Sequence, residues 1–169
     1  KLSQEYKIFA PVVLEYKGTY SDTPSIRYKE VKKFEDMEFA LKSHFSPKEV
    51  MLPINEILLY FTQDEYSEAK VKKVLMFMRA CDINAVKRVD EIYLRNGEED
   101  YYYKRRRNKV KFVLVGCRES FRNCFCVSMN SNKTEDYAMA LNIRDNELYI
   151  DIKDEDLNVF DGQSEEFEV

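Results

Sequence analysis

The hydrophobic and polar pattern opens on two extended stretches. YKIFAPVVLEYKGTYSDTPSIRYKEV, residues 6–31, places short apolar runs on either side of Gly18 and the turn-rich SDTPS, the pattern of a β-hairpin. In FEDMEFALKSH, residues 34–44, Phe34, Met37 and Leu41 fall on one side at helical spacing and predict a short helix. Pro47 and Pro53 keep the next stretch irregular ahead of the apolar run INEILLYF.

The middle of the chain is more regular. KVLMFM, residues 73–78, is a short continuous apolar run, as expected of a strand buried on both faces. Beyond it Ile83, Val86, Val89 and Tyr93 recur at helical intervals, with Asp82 as the expected N-cap and a stop near Asn96-Gly97. A polar helix, EEDYYYKRRRNK, then leads into a second buried strand, KVKFVLVG, residues 109–116. Strand, helix, helix, strand is a βαβ crossover, which requires parallel strands. YAMALNIRD and ELYIDI read as two further strands around a turn at Asp145-Asn146. The expected fold is α/β, one domain over residues 1–160 with a mixed sheet containing the βαβ unit 73–116. Residues 161–169, DGQSEEFEV, read as an acidic tail or linker.

Composition narrows the function classes. With 44% hydrophobic and 14% aromatic residues in 169, the chain is too apolar for a disordered segment and long enough to bury a core without staples. A net charge of −4 argues against a general binder of nucleic acid or anionic membrane. The basic run Lys104–Arg107, after three tyrosines, therefore reads as a protein-docking surface ahead of a nucleic-acid one. No apolar run approaches the roughly 20 residues that cross a bilayer. The start, KLSQEYKIFAPVV, has no signal-peptide layout, so a cytoplasmic protein with reduced thiols is expected and the sequon Asn132-Lys133-Thr134 carries no glycan. Lacking an initial Met and ending in the acidic tail, both ends look cut from something longer. Gly18, Gly97, Gly116 and Gly162 are too scattered for a GxGxxG or Walker loop. The single histidine, His44, excludes HExxH, argues against a His-based triad, and reads as a surface helix end.

What remains is a cysteine pattern, C-x35-C-x6-C-x-C, from Cys81, Cys117, Cys124 and Cys126. Cys81 lies just past the first buried strand and Cys117 just past the second. Parallel neighbours deliver both to one sheet edge, about 5 Å apart, and that edge is where open α/β sheets place ligands. Cys124 and Cys126 follow in the loop that begins there, so all four can meet. Four small buried residues are one reading. Structural zinc is a second, though its usual C-x2–4-C knuckles are missing. An iron–sulfur cluster, with more varied spacing, is a third. A disulfide does not suit the cytosol. The positive end of the following helix and Arg79, Arg118 and Arg122 suit an anionic site, although the same arginines also suit a solvated loop.

Longer blocks add a resemblance. IFAP with YSDTPSIRY, then MRACDINAVKRVDEIYLRNG and ESFRNCFCVSMNSNKT, resemble over residues 6–150 the N-terminal portion of the A subunit of anaerobic sulfite reductase. More distantly they resemble the iron–sulfur β subunit of nickel–iron sulfhydrogenases. The resemblance implies an electron-transfer and scaffold domain, itself non-catalytic. It would relay electrons from a flavin-containing, NADH-oxidising B subunit towards a siroheme-containing C subunit that reduces sulfite to sulfide. The family's two ferredoxin motifs, C-x2-C-x2-C-x3-C, are absent, so the chain looks like the N-terminal domain without its ferredoxin half. The motifs RACD, GC-x-E-S and NCFC carry over, and imply that Cys81, Cys117, Cys124 and Cys126 hold an additional iron–sulfur cluster of the 4Fe–4S type, one that air can remove from the isolated fragment. A cofactor-free subunit-docking domain of a related hydrogenase-type complex is the alternative, and a zinc-stabilised nucleic-acid module the third reading.

Overall fold

Alternating and continuous apolar runs become one central sheet in the computed structural model, which describes residues 1–20, 22–144 and 147–159. The helices are α1 (Leu2–Glu5), α2 (Lys48–Met51), α3 (Ala80–Leu94) and α4 (Tyr101–Arg107). The strands are β1 (Lys7–Leu14), β2 (Ser25–Val31), β3 (Leu59–Phe61), β4 (Tyr66–Glu68), β5 (Val74–Met78), β6 (Val110–Val115), β7 (Met139–Arg144) and β8 (Glu147–Ile152). Six strands form the sheet in the order β2-β1-β5-β6-β7-β8. The inner four, β1, β5, β6 and β7, run parallel, and an antiparallel strand closes each edge. The expected α/β class, mixed sheet and βαβ unit are all present. So is the first hairpin, whose turn requires glycine: a Cβ on Gly18 would stand 2.2 Å from Thr23 Oγ1.

Because β5 and β6 are apolar on both faces, the sheet carries two cores. Leu75, Phe77, Val113, Val115, Met139 and Leu141 point to one side, with Ala10 and Val12. Met76, Met78, Val110 and Phe112 point to the other, under Ile83, Val86 and Val89 of α3 and Tyr103 of α4. Ile83 and Val86 are fully buried, and each such side chain contributes about 2 kcal/mol of burial free energy. The first side is covered by irregular segments instead, through Tyr6, Met37, Phe39 and Leu157.

Three local expectations need correcting. Residues 34–44 are not a helix: a single 3₁₀ turn, Phe34–Asp36, gives way to extended backbone at Met37. The strap that follows is fixed by the sheet, since Glu38 N–H donates to Pro11 O (2.7 Å) and Ile26 N–H to His44 Nδ1 (3.1 Å). The Glu38 carboxylate also accepts from the amides of Ala40 and Leu41 at 2.6 and 2.9 Å. His44 is thus bonded to β2 rather than ending a helix. Second, α3 begins at Ala80, with Arg79 at the N-cap position and no side-chain cap, so Asp82 sits inside the first turn.

Third, the basic run, expected as a free docking face, is engaged in ion pairs within the fold. Arg105 meets Glu68 (3.0 Å) and Arg107 meets Asp90 (3.1 Å), while Lys104 pairs with Glu99 and Arg106 with Glu56. Arg106 Nη1 also donates to Met51 O at 2.5 Å. The polar helix α4 itself is as expected, capped by Asp100, which accepts from Tyr103 N–H at 2.7 Å. No helix among the described residues is long and apolar enough to cross a membrane. The turn at Asp145-Asn146 and the tail 161–169 lie outside the described residues.

Candidate functional site: the thiol edge of the sheet

Strand register decides where the cysteines go. In the parallel β5–β6 pair Met78 faces Leu114. Cys81 and Cys117 each come three residues later, at the same C-terminal edge. The chain turns into α3 at once after β5, which leaves Cys81 half-buried in the first helical turn. After β6 it passes through Gly116, whose N–H donates to Leu141 O at 2.9 Å. A Cβ there would stand 3.1 Å from Asn142 Oδ1, so glycine lets β6 hug β7 just where the loop departs.

Cys117 is exposed at the start of that loop, with Cys124 exposed and Cys126 half-buried further along. The loop is built from local turns: Cys124 N–H donates to Phe121 O (2.9 Å), and Ser131 N–H to Cys126 O (2.8 Å), beside Asn130 with φ +50°. Asn84 of α3 fastens it by donating to Ser131 O (3.1 Å) and Lys133 O (2.9 Å). Cys117, Cys124 and Cys126 line one cavity of about 780 Å³, together with Ala80 next to Cys81. A second cavity of about 500 Å³ adjoins Cys117 and is walled by Phe34, Phe39, Leu41, Phe121 and Arg79.

The thiols also share one electrostatic neighbourhood. Burial pushes the Cys81 thiol up to about 11, reinforced by Asp82, Cys117 and Cys126 and opposed by Arg79. Burial likewise raises Cys117, against Arg79 and with Cys124 and Cys126. Against the expected thiolate at the helix end, burial and the neighbouring acidic groups raise the Cys81 thiol more than Arg79 lowers it. Burial raises Asp82 too, offset by Arg79, Lys42 and Lys48.

All four cysteines are free thiols. Among the described residues no three His, Cys, Asp or Glu side chains are placed to share one metal ion. A tetrahedral zinc with bonds of about 2.3 Å would need sulfurs about 3.8 Å apart. In a cluster of the 4Fe–4S type each of four thiolates binds a different iron, so the sulfurs stand wider than around a single ion. Cys117, Cys124 and Cys126 share one cavity lining, and Cys81 follows Ala80 of that lining, so the sheet edge offers thiol donors only.

Two features at this edge were not foreseen. Arg79 Nη2 donates to Phe39 O (2.8 Å) and Leu41 O (3.0 Å), and its guanidinium lies 4.6 Å over the Phe121 ring. The signal for the strap was present in the alternation Met37, Phe39, Leu41, a period of two that competes with the helical spacing. In addition Phe125, Val127 and Met129 are exposed beside the loop cysteines.

Comparison with known proteins gives one curated relative, the sulfhydrogenase 2 subunit beta of Pyrococcus furiosus, 26% identical over 142 residues. The match takes in 82% of this chain, and the chain spans only 38% of the relative's length. A match of that extent necessarily includes residues 81–126. No protein-family model matches the chain, and no solved structure does.

Proposed function

We propose that this chain is the electron-carrying and assembly portion of a subunit in a multi-subunit oxidoreductase. Cys81, Cys117, Cys124 and Cys126 would hold an iron–sulfur cluster, most simply of the 4Fe–4S type. The observation that carries this reading is the register equivalence of Cys81 and Cys117 at the C-terminal sheet edge, with Cys124 and Cys126 lining the same cavity as Cys117. The relative named a sulfhydrogenase β subunit supports the same class of complex.

When bound, such a cluster takes up and releases one electron at a time. The chain's own part is to supply four thiolates, surrender their protons on binding, and exclude water with the α3 turn and the 121–131 loop. The finer reading is the anaerobic sulfite reductase assembly. In it residues 1–160 are one cytoplasmic domain passing electrons from a flavin-containing B subunit towards a siroheme-containing C subunit. The blocks YSDTPSIRY and ESFRNCFCVSMNSNKT support that choice, whereas the sulfhydrogenase relative favours a hydrogenase-type partner set.

Anaerobic reconstitution with ferrous iron and sulfide tests the cluster. The expected product contains iron and acid-labile sulfide and absorbs broadly near 400 nm. Cys81→Ser and Cys126→Ser should each abolish or strongly reduce the uptake. Reconstituted protein with no iron leaves the cofactor-free docking domain, and stoichiometric zinc leaves the zinc-bound one. Affinity purification of the tagged native chain from anaerobic cells then separates the assemblies: siroheme in the eluate supports sulfite reduction, and nickel supports hydrogenase.

A further inference from the structure

The charged groups around the four thiols are held in an uneven way. Arg79 follows β5 directly, two residues before Cys81, and with Cys117 and Phe121 it lines the cavity of about 500 Å³. Its Nη2 donates to the carbonyls of Phe39 (2.8 Å) and Leu41 (3.0 Å), and its plane lies over Phe121. Every one of these partners is uncharged. Among the described residues the guanidinium is therefore held without a contact ion pair, in contrast to the four cations of α4. Asp82, one residue past Cys81 in the same helical turn, is the acidic group set against it.

We propose that Arg79 sets the reduction potential of the four-thiol site by fixing a positive charge beside Cys81 and Cys117. This rests on the reading that these thiols bind a cluster. Reduction adds one electron and hence one negative charge at the site. A half-buried cation held nearby stabilises the reduced form and raises the potential. The two carbonyls and the Phe121 ring keep that charge from swinging into solvent. Arg79 is a positioning residue in this sense, touching neither the electron donor nor the acceptor. Asp82 works in the opposite direction and lowers the potential.

The test is a dithionite titration, the reductant supplying the electron, on anaerobically reconstituted wild type, Arg79→Lys, Arg79→Met and Asp82→Asn. At a fixed poise Arg79→Met should lower the reduced-to-oxidised ratio tenfold, a shift of about 59 mV to more negative potential for one electron. Arg79→Lys should stay near wild type, and Asp82→Asn should move to more positive potential. Equal potentials in wild type and Arg79→Met overturn the proposal. So does an Arg79→Lys shift as large as that of Arg79→Met, because anchoring and not charge would then be at work. If Arg79→Met does not fold, Asp82→Asn carries the test, and an unchanged potential there overturns the proposal. A wild-type chain that takes up no iron overturns the cluster reading and this one together. Iron uptake with invariant potentials overturns only the role of Arg79.

Discussion

Where α4 leads into β6, four consecutive cations each meet a carboxylate; at the other end of the same strands, Arg79 and Arg118 donate to backbone carbonyls. The first arrangement neutralises charge and ties α4 to α3, to the 47–57 segment and to β4. The second fixes cations in place on carbonyls and, among the described residues, without a contact ion pair, beside free thiols. A run of basic residues is conspicuous in a sequence, yet here each member is held in an ion pair within the fold. The cation proposed to bear on function is a single arginine just past a strand end. What separates the two is the chemistry of the acceptor, which composition does not record.

The sharpest way to break this comparison is at Asp90. Its carboxylate accepts from the Tyr103 hydroxyl (2.6 Å) and from Arg107 Nε (3.1 Å), and the ion pair's side chains are only 13% and 19% exposed. Asp90→Ala would leave a cation and a hydroxyl poorly solvated, costing about 3 kcal/mol. Urea unfolding should show that loss as a lower midpoint. Arg118→Met, which removes a 3.2 Å bond to Ile143 O at an exposed position, should cost less than about 1 kcal/mol. Similar losses at both sites would mean that the two ends do not differ as described.

The thiol end gives the next largest effect, read by pH. With Cys81 pushed up to about 11 from an ordinary 9.0, its thiolate fraction near pH 8 falls about a hundredfold. Mass-spectrometric mapping of iodoacetamide labelling should find Cys81 far slower than an ordinary exposed thiol, and accelerating through pH 11. The sign for stability follows from the direction. A thiol whose folded pKa is raised binds its proton more tightly in the fold. Its contribution is complete below about pH 9 and is lost as pH rises towards 11. Cys81→Ala should flatten that alkaline loss of stability.

These tests also show which parts of the molecule the sequence made legible. β5 and β6 were readable because continuous apolar runs between polar segments have few other solutions, and the crossover between them then forced parallel pairing. The common edge for Cys81 and Cys117 followed from that alone, and the β5–β6 register bears it out. Residues 34–44 were misread because Phe34, Met37 and Leu41 satisfy a helical period while Met37, Phe39 and Leu41 satisfy an extended one. The tie was broken by Pro11 O of β1 and by β2, partners remote in sequence. The ion pairing of the KRRR run was hidden for a related reason: its carboxylate partners Glu56, Glu68 and Asp90 lie 50, 37 and 17 residues away. The same holds for Arg79, whose bonds to Phe39 O and Leu41 O exist only once the strap crosses the sheet end.

A smaller effect distinguishes positions within the paired end. Arg105 donates from Nη1 to Glu68, whose side chain is 60% exposed, while among the described residues its Nε and Nη2 are buried without a hydrogen-bond partner. Removing a guanidinium that is only partly satisfied relieves desolvation as it loses an ion pair. Arg105→Met should therefore change unfolding free energy by less than about 1 kcal/mol in either direction. A loss matching that of Asp90→Ala would show that the exposed Glu68 pair stabilises far more than its setting suggests.

Lys104 gives the smallest expected effect and the cleanest control. It belongs to the same run and has its own carboxylate, Glu99, but both side chains are about half exposed, at 46% and 50%. Water screens such a pair and two long side chains lose freedom in making it, so Lys104→Met should cost no more than about 0.5 kcal/mol. That small difference should vanish in 0.5 M salt, whereas the Asp90→Ala loss should persist because its groups are shielded from ions. If the Lys104 and Asp90 effects proved equal in size and equally salt-sensitive, burial would not be what gives the paired end its strength. The contrast with the thiol edge would then reduce to a count of charges.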